Sequence, residues 1–172
     1  INGPIVTVSL PGVRKDTRNR QEHPLNLQYA GSLEQLASTL GARGWTRADD
    51  LGWGNILKFL SPGLPLQQLP LLPQVHDGHH EALALIKPVT DERSLVLRLW
   101  PAFILIEPGS RPLWVGNVTE QQKGEMVGML AFPETGREFQ DAYRQLLEDS
   151  RGLRQQQPPR EPDLLLLWRA AD

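Results

Sequence analysis

Leu97-Arg98-Leu99-Trp100 and Leu113-Trp114-Val115-Gly116 lie one hairpin apart in the second half of the chain. Around them, residues 82–89, 94–100, 102–107, 113–119 and 125–132 are short apolar or alternating segments. They are parted by Thr-Asp-Glu, a single proline, Pro-Gly-Ser-Arg-Pro and Gln-Gln-Lys-Gly. A period of two broken by turn residues at this spacing predicts an antiparallel meander. Pro133 reads as the first turn of a helix that carries Phe139, Ala142, Tyr143, Leu146 and Leu147 on one stripe, the cover such a sheet needs.

Earlier in the chain, residues 5–10 and 25–29 read as short strands. The polar, mostly basic stretch 14–23 between them reads as a solvated loop, with lipid-headgroup or anion contact as its alternative. Ser32 is an N-cap for a helix with Leu33, Leu36, Ala37 and Leu40 at i, i+3, i+4 and i+7, which Gly41 or Gly44 can end. A second helix with Trp53, Ile56, Leu57 and Leu60 on one face follows Asp49 or Asp50. Residues 62–73, where prolines interleave with leucines, are expected to run extended as an ordered crossover. Residues 155–162 read as a linker and 163–171 as a final strand. Its Leu164-Leu165-Leu166-Leu167-Trp168 run demands burial on both faces, and so an interior place in the sheet.

The bulk composition narrows the function classes. A chain of 172 residues fits one domain able to bury a core without staples. Its formal net charge of -2 gives no global field to draw it to nucleic acid. The absence of cysteine excludes disulfides, thiolate metal sites and a cysteine nucleophile. The longest apolar run, residues 164–168, is far short of the roughly 20 residues that cross a bilayer. The chain starts at Ile1 without a signal-peptide pattern, so we expect a domain excised from something longer.

Two groups of residues are candidates for chemistry. His76-Asp77-Gly78-His79-His80-Glu81 places imidazoles and carboxylates close together, the ligand types zinc prefers, with His76, Asp77, His79 and His80 as the metal set. The same segment reads as an Asp-Gly turn leading into a strand. No helical His-x-x-x-His spacing is present. Arg98 interrupts an apolar strand on the face of Val96 and Trp100. It is expected to stack on Trp100 or Trp114 at a solvent-facing sheet surface, or else to bind an anion over a floor of those tryptophans. Nucleophile-elbow, P-loop and dinucleotide fingerprints are all missing from the sequence.

The Arg98-Leu99-Trp100 and Trp114-Val115-Gly116 motifs resemble the hallmark of the LssY C-terminal domain family of bacterial membrane proteins. The likeness runs over residues 25–121 and takes in Gly31, the amphipathic helix ending in Gly44-Trp45, and the Leu/Pro stretch. The resemblance implies a soluble tail on a polytopic protein that carries a PAP2 lipid phosphatase segment, a DedA segment or both. Where the family pattern has a His before Arg-x-Trp and a Gly-Ala-Ala-Thr-x-Asp run after the second motif, this chain has Leu95-Val96-Leu97 and Asn117-Val118-Thr119-Glu120. PAP2 catalytic motifs do not occur in it.

The expected molecule is therefore one α+β domain spanning residues 1–172, an antiparallel sheet of five to seven strands covered by two or three helices. The expected function is non-catalytic recognition beside a lipid phosphatase or DedA segment, with no cofactor and no catalytic residue. Arg98, Trp100 and Trp114 are the binding residues. Partners would be the membrane segments of its own parent and an anionic or lipid-headgroup ligand, not nucleic acid. The expected place is at the inner membrane, on the periplasmic rather than the cytoplasmic side. The alternative is a His-based or metal-assisted hydrolase centred on residues 76–81.

Overall fold

The computed structural model describes residues 13–15, 21–48, 75–76, 79–90, 92–107, 109–127, 130–135, 140–159 and 164–169. In chain order the elements are β1 (Val13–Lys15), β2 (Gln21–Pro24), β3 (Leu27–Ala30), α1 (Leu33–Gly41), β4 (Thr46–Arg47), β5 (Val75–His76) and β6 (His79–His80). Then come β7 (Leu83–Thr90), β8 (Arg93–Ile106), β9 (Arg111–Val127), β10 (Leu130–Thr135), α2 (Gln140–Asp149), β11 (Arg154–Gln156) and β12 (Leu165–Trp168). The main sheet runs β11-β12-β3-β9-β8-β7-β4, with β10 also paired to β9. β1 with β2, and β5 with β6, form separate two-stranded ladders. A sheet with helices is thus present, and its β7-β8-β9-β10 portion is an antiparallel meander. It has four strands where five segments are expected, and β9 continues through Gln121-Gln122-Lys123-Gly124, the expected site of a turn.

Several expectations are corrected. The sheet has eight strands and is mixed, because β12 runs parallel to β3, with Leu165 opposite Leu27 and Trp168 opposite Ala30. β12 is interior, as its run of leucines requires: residues 165–167 are buried between β11 and β3. β11 replaces the first part of the expected linker. The basic stretch 14–23 is strand at both ends, leaving 16–20 outside the described residues. The strand expected at 5–10, the second helix from Asp49 to Leu60, the proline-rich crossover and Asp77 also lie outside them.

The prolines mark where the sequence reading of the strands fails. Pro101 does not split two strands, and Pro133 does not open a helix; both lie inside strands. The ladders shift register beside three in-strand prolines, between Pro88 and Thr90, Pro101 and Leu105, and Ala131 and Pro133. A residue with no N–H drops a ladder bond, and a bulge at that point accommodates the loss while the strand continues.

Both described helices cover one face of the sheet. Leu36 and Leu40 of α1 and Ala142 and Leu146 of α2 join Leu95, Leu97, Leu99, Leu165 and Leu167 in one core. α1 ends in a Schellman turn: Trp45 N donates to Leu40 O at 3.2 Å and Gly44 N to Gly41 O at 3.1 Å, with Gly44 at φ +91°. That left-handed residue suits glycine and drops Trp45 back onto Leu40. Ser32 stands at the N-cap with an extended backbone but makes no side-chain cap bond. Its carbonyl accepts from Tyr29 Oη at 3.0 Å and from Leu36 N at 3.2 Å.

Candidate functional site

Strand alternation sends residues of one parity in β8 and β9 to the helix-covered core and the other parity to the opposite face. Along β8, Leu95, Leu97 and Leu99 belong to the core; Ser94, Val96, Arg98 and Trp100 alternate with them. The ladders place Ala84 of β7 opposite Arg98, and Arg98 opposite Asn117 of β9. The next row is Ile86, Val96 and Thr119, and the row beyond it Pro88, Ser94 and Gln121. Directly paired residues have Cβ atoms about 5 Å apart, so Arg98, Asn117 and Thr119 are within one small molecule's reach of each other.

These polar residues are buried. Arg98 is 1% exposed, Asn117 0% and Thr119 1%. The Arg98 Nε lies 3.8 Å from Glu81 Oε1, on a carboxylate whose side chain keeps 12% of its exposure. Asn117 differs: neither its amide nitrogen nor its amide oxygen has a hydrogen-bond partner among the described residues, and the Thr119 hydroxyl has none either. Leaving such a buried group unsatisfied costs about 1–3 kcal/mol. Val115 and Val118, in the same strand, show that an apolar side chain is accommodated at this depth. The described residues alone therefore do not explain an amide and a hydroxyl here.

The expected binding residues separate. Trp100 shares the face of Arg98 and packs with Leu25 and Val115. Trp114 is on the other face, packed on the helix-covered core, and its indole N–H donates to Gly31 O at 2.9 Å. No floor of two tryptophans lies under Arg98. The guanidinium is not at a solvent-facing surface either, since Glu81 supplies an opposite charge that lets it be buried. The sequence reading missed Asn117 and Thr119. Their signal was that they continue the parity of buried Leu113 and Val115 in a strand flanked by strands on both sides.

His76 and His79 stand opposite each other across the β5–β6 ladder, and His79 and His80 are exposed. The His79 ring is 5.0 Å from that of Phe103. No three His, Asp or Glu side chains converge as a metal site among the described residues.

A second polar cluster ties elements together on the helix side. Asp149, at the end of α2, accepts from Trp45 Nε1 at 2.8 Å and Lys87 Nζ at 2.6 Å through Oδ2, and from Gln145 Nε2 at 3.2 Å through Oδ1. A carboxylate at a helix C-terminus opposes the helix dipole, and these donors offset it. Burial lifts the pKa of Tyr29 to about 12, against the opposing pull of Arg169 and Arg111.

Among the described residues no helix is long and apolar enough to cross a membrane. No curated protein and no solved structure matches the chain. The family model described as LssY C-terminus matches residues 7–130. That stretch holds Gly31, the α1 turn, both tryptophan strands and the whole Arg98–Asn117–Thr119 row. It is well over half of the 172 residues, and the chain belongs to the LssY C-terminus family.

Proposed function

We propose that this chain is a non-catalytic accessory and recognition domain of a bacterial inner-membrane protein, tethered beside a PAP2-type lipid phosphatase or DedA segment and facing the periplasm. The observation that carries recognition is the pair Asn117 and Thr119, held beside Arg98 with hydrogen-bonding capacity that no described residue uses. In this reading the membrane segments are its partners and any phosphatase chemistry resides in them. A polar ligand, for which a lipid headgroup is the natural source, occupies the row. The test is turnover: the 172-residue chain is expected to release no phosphate from a generic phosphomonoester or a lipid phosphate.

One observation favours a second reading, a hydrolase centred on residues 76–81. The register of β5 and β6 sets His76 directly across from His79 in a two-stranded ladder. Phosphate release that disappears in His79→Ala, or zinc that stays bound through dialysis against chelator, would replace the recognition reading with this one.

A further inference from the structure

The row on the sheet face opposite the helices has a particular charge and donor pattern, and the pattern restricts what it can hold. Arg98 and Glu81 carry opposite charges 3.8 Å apart and balance each other as a pair. An anion brought onto Arg98 in this buried setting would also meet the Glu81 carboxylate, where repulsion is weakly screened. The remaining groups each donate and accept: the Asn117 carboxamide has two donors and an acceptor, and the Thr119 hydroxyl one donor and two acceptors. A hydroxyl group is also both donor and acceptor. Adjacent hydroxyls can pair with both ends of a carboxamide while a third meets a threonine or a carboxylate. Small Ala84 faces Arg98, and Ala84 and Glu81 keep some exposure, so the row meets solvent at its β7 end. Trp100, Leu25 and Val115 close the other end with apolar surface.

We infer that the Arg98–Asn117–Thr119 row, with Glu81, is a binding site for an uncharged, hydroxyl-bearing group, a sugar or a polyol, either free or displayed as a lipid headgroup. This rests on the recognition reading and replaces the anion expected from Arg98 alone with a neutral ligand. Asn117 contributes both ends of its amide, Thr119 its hydroxyl, and Glu81 and Arg98 an acceptor and a donor from a balanced pair.

The test follows the Asn117 side-chain NH2 resonances of the 15N-labelled 172-residue chain while glucose, myo-inositol or inorganic phosphate is titrated in. Phosphatidylcholine vesicles with and without a glucosyl diacylglycerol form a separate arm. The expected result is a saturable shift with glucose or myo-inositol, weakened at least about tenfold in Thr119→Val, and unchanged in Val89→Ser at an exposed site on β7. For Asn117→Val, which removes the reporter, calorimetry should show the same weakening, and a thermal melt of each variant establishes that it is folded. A shift only with the glycolipid vesicles supports the proposal and assigns the source as a headgroup. Binding of phosphate that is lost in Arg98→Lys but kept in Asn117→Val overturns the neutral-ligand proposal and leaves the recognition reading standing. No saturable response of the folded wild-type chain to any sugar, polyol or glycolipid vesicle overturns the proposal. Chemical turnover of a bound probe instead overturns the recognition reading beneath it.

Discussion

Gly116 packs against the backbone of Arg98 so closely that a Cβ built on it would come 2.1 Å from the Arg98 carbonyl oxygen and 2.6 Å from Leu99 Cδ2. The two tryptophan motifs are thus one structural unit, in which the glycine of the second permits the close approach of the first. Gly116→Ala is expected to cost about 3 kcal/mol or more, because the obstacle is backbone in the centre of the sheet. Denaturant unfolding of this variant beside wild type measures it. A cost below about 1 kcal/mol would mean that β8 and β9 separate without difficulty.

Trp45 and Asp149 join the start of the chain to its last helix across 104 residues of sequence. Trp45→Phe keeps the ring in the core and removes only the N–H donated to Asp149. A hydrogen bond to a charged group contributes about 1.5–3 kcal/mol, so a loss of that size is expected in equilibrium unfolding. Lys87 and Gln145 still hold the carboxylate in the variant, which argues for the lower end.

Tyr29 gives the fold an alkaline limit. Its folded-state pKa is raised to about 12 from an ordinary 10, so burial favours the neutral phenol. The corresponding stability is fully present below pH 10 and is lost as pH rises from 10 through 12, on the order of 2 kcal/mol in all. Unfolding free energy measured against pH should fall across that window. Tyr29→Phe should flatten the fall while losing about 1 kcal/mol at neutral pH with the bond to Ser32 O.

Phe103 is 74% exposed at φ +56°, in the bulge that follows Pro101. A large residue in the left-handed region carries strain of about 1–3 kcal/mol, and its ring lies 5.0 Å from that of exposed His79. Phe103→Asn is expected to raise stability by about 1 kcal/mol in a thermal melt, since asparagine tolerates this conformation. A loss of similar size would show that the contact with His79 outweighs the strain.

The sequence carried local periods well and lateral relationships poorly. The α1 stripe, β7 and the interior place of the leucine-rich β12 follow from spacing and hydrophobicity that any window of the chain displays. That β12 lies parallel to β3 does not: it depends on a pairing between residues far apart in sequence, and leucines on both faces carry no register. Pro101 and Pro133 look like boundaries in the sequence because bulges that rescue a strand leave no mark there. Arg98 stood out as a charge among leucines, but its burial depended on Glu81, 17 residues earlier, folding beside it. Trp114 was grouped with Trp100 because residue parity across a turn cannot be matched until the register is known; the ladder pairs Trp100 with Val115 and puts Trp114 on the other face. Asn117 and Thr119 share the parity of Leu113 and Val115, but two polar residues on that parity read as a solvent face until the burial of the face is known.

The central claim is that Asn117 is kept for a ligand and not for the fold. The stability of Asn117→Val against wild type, by denaturant unfolding with no ligand present, tests it most directly. With neither amide atom bonded among the described residues, replacing the amide by an apolar side chain should leave stability unchanged or raise it by about 1–3 kcal/mol. A loss of more than about 1 kcal/mol would show that the amide already supports the sheet, and would contradict the account.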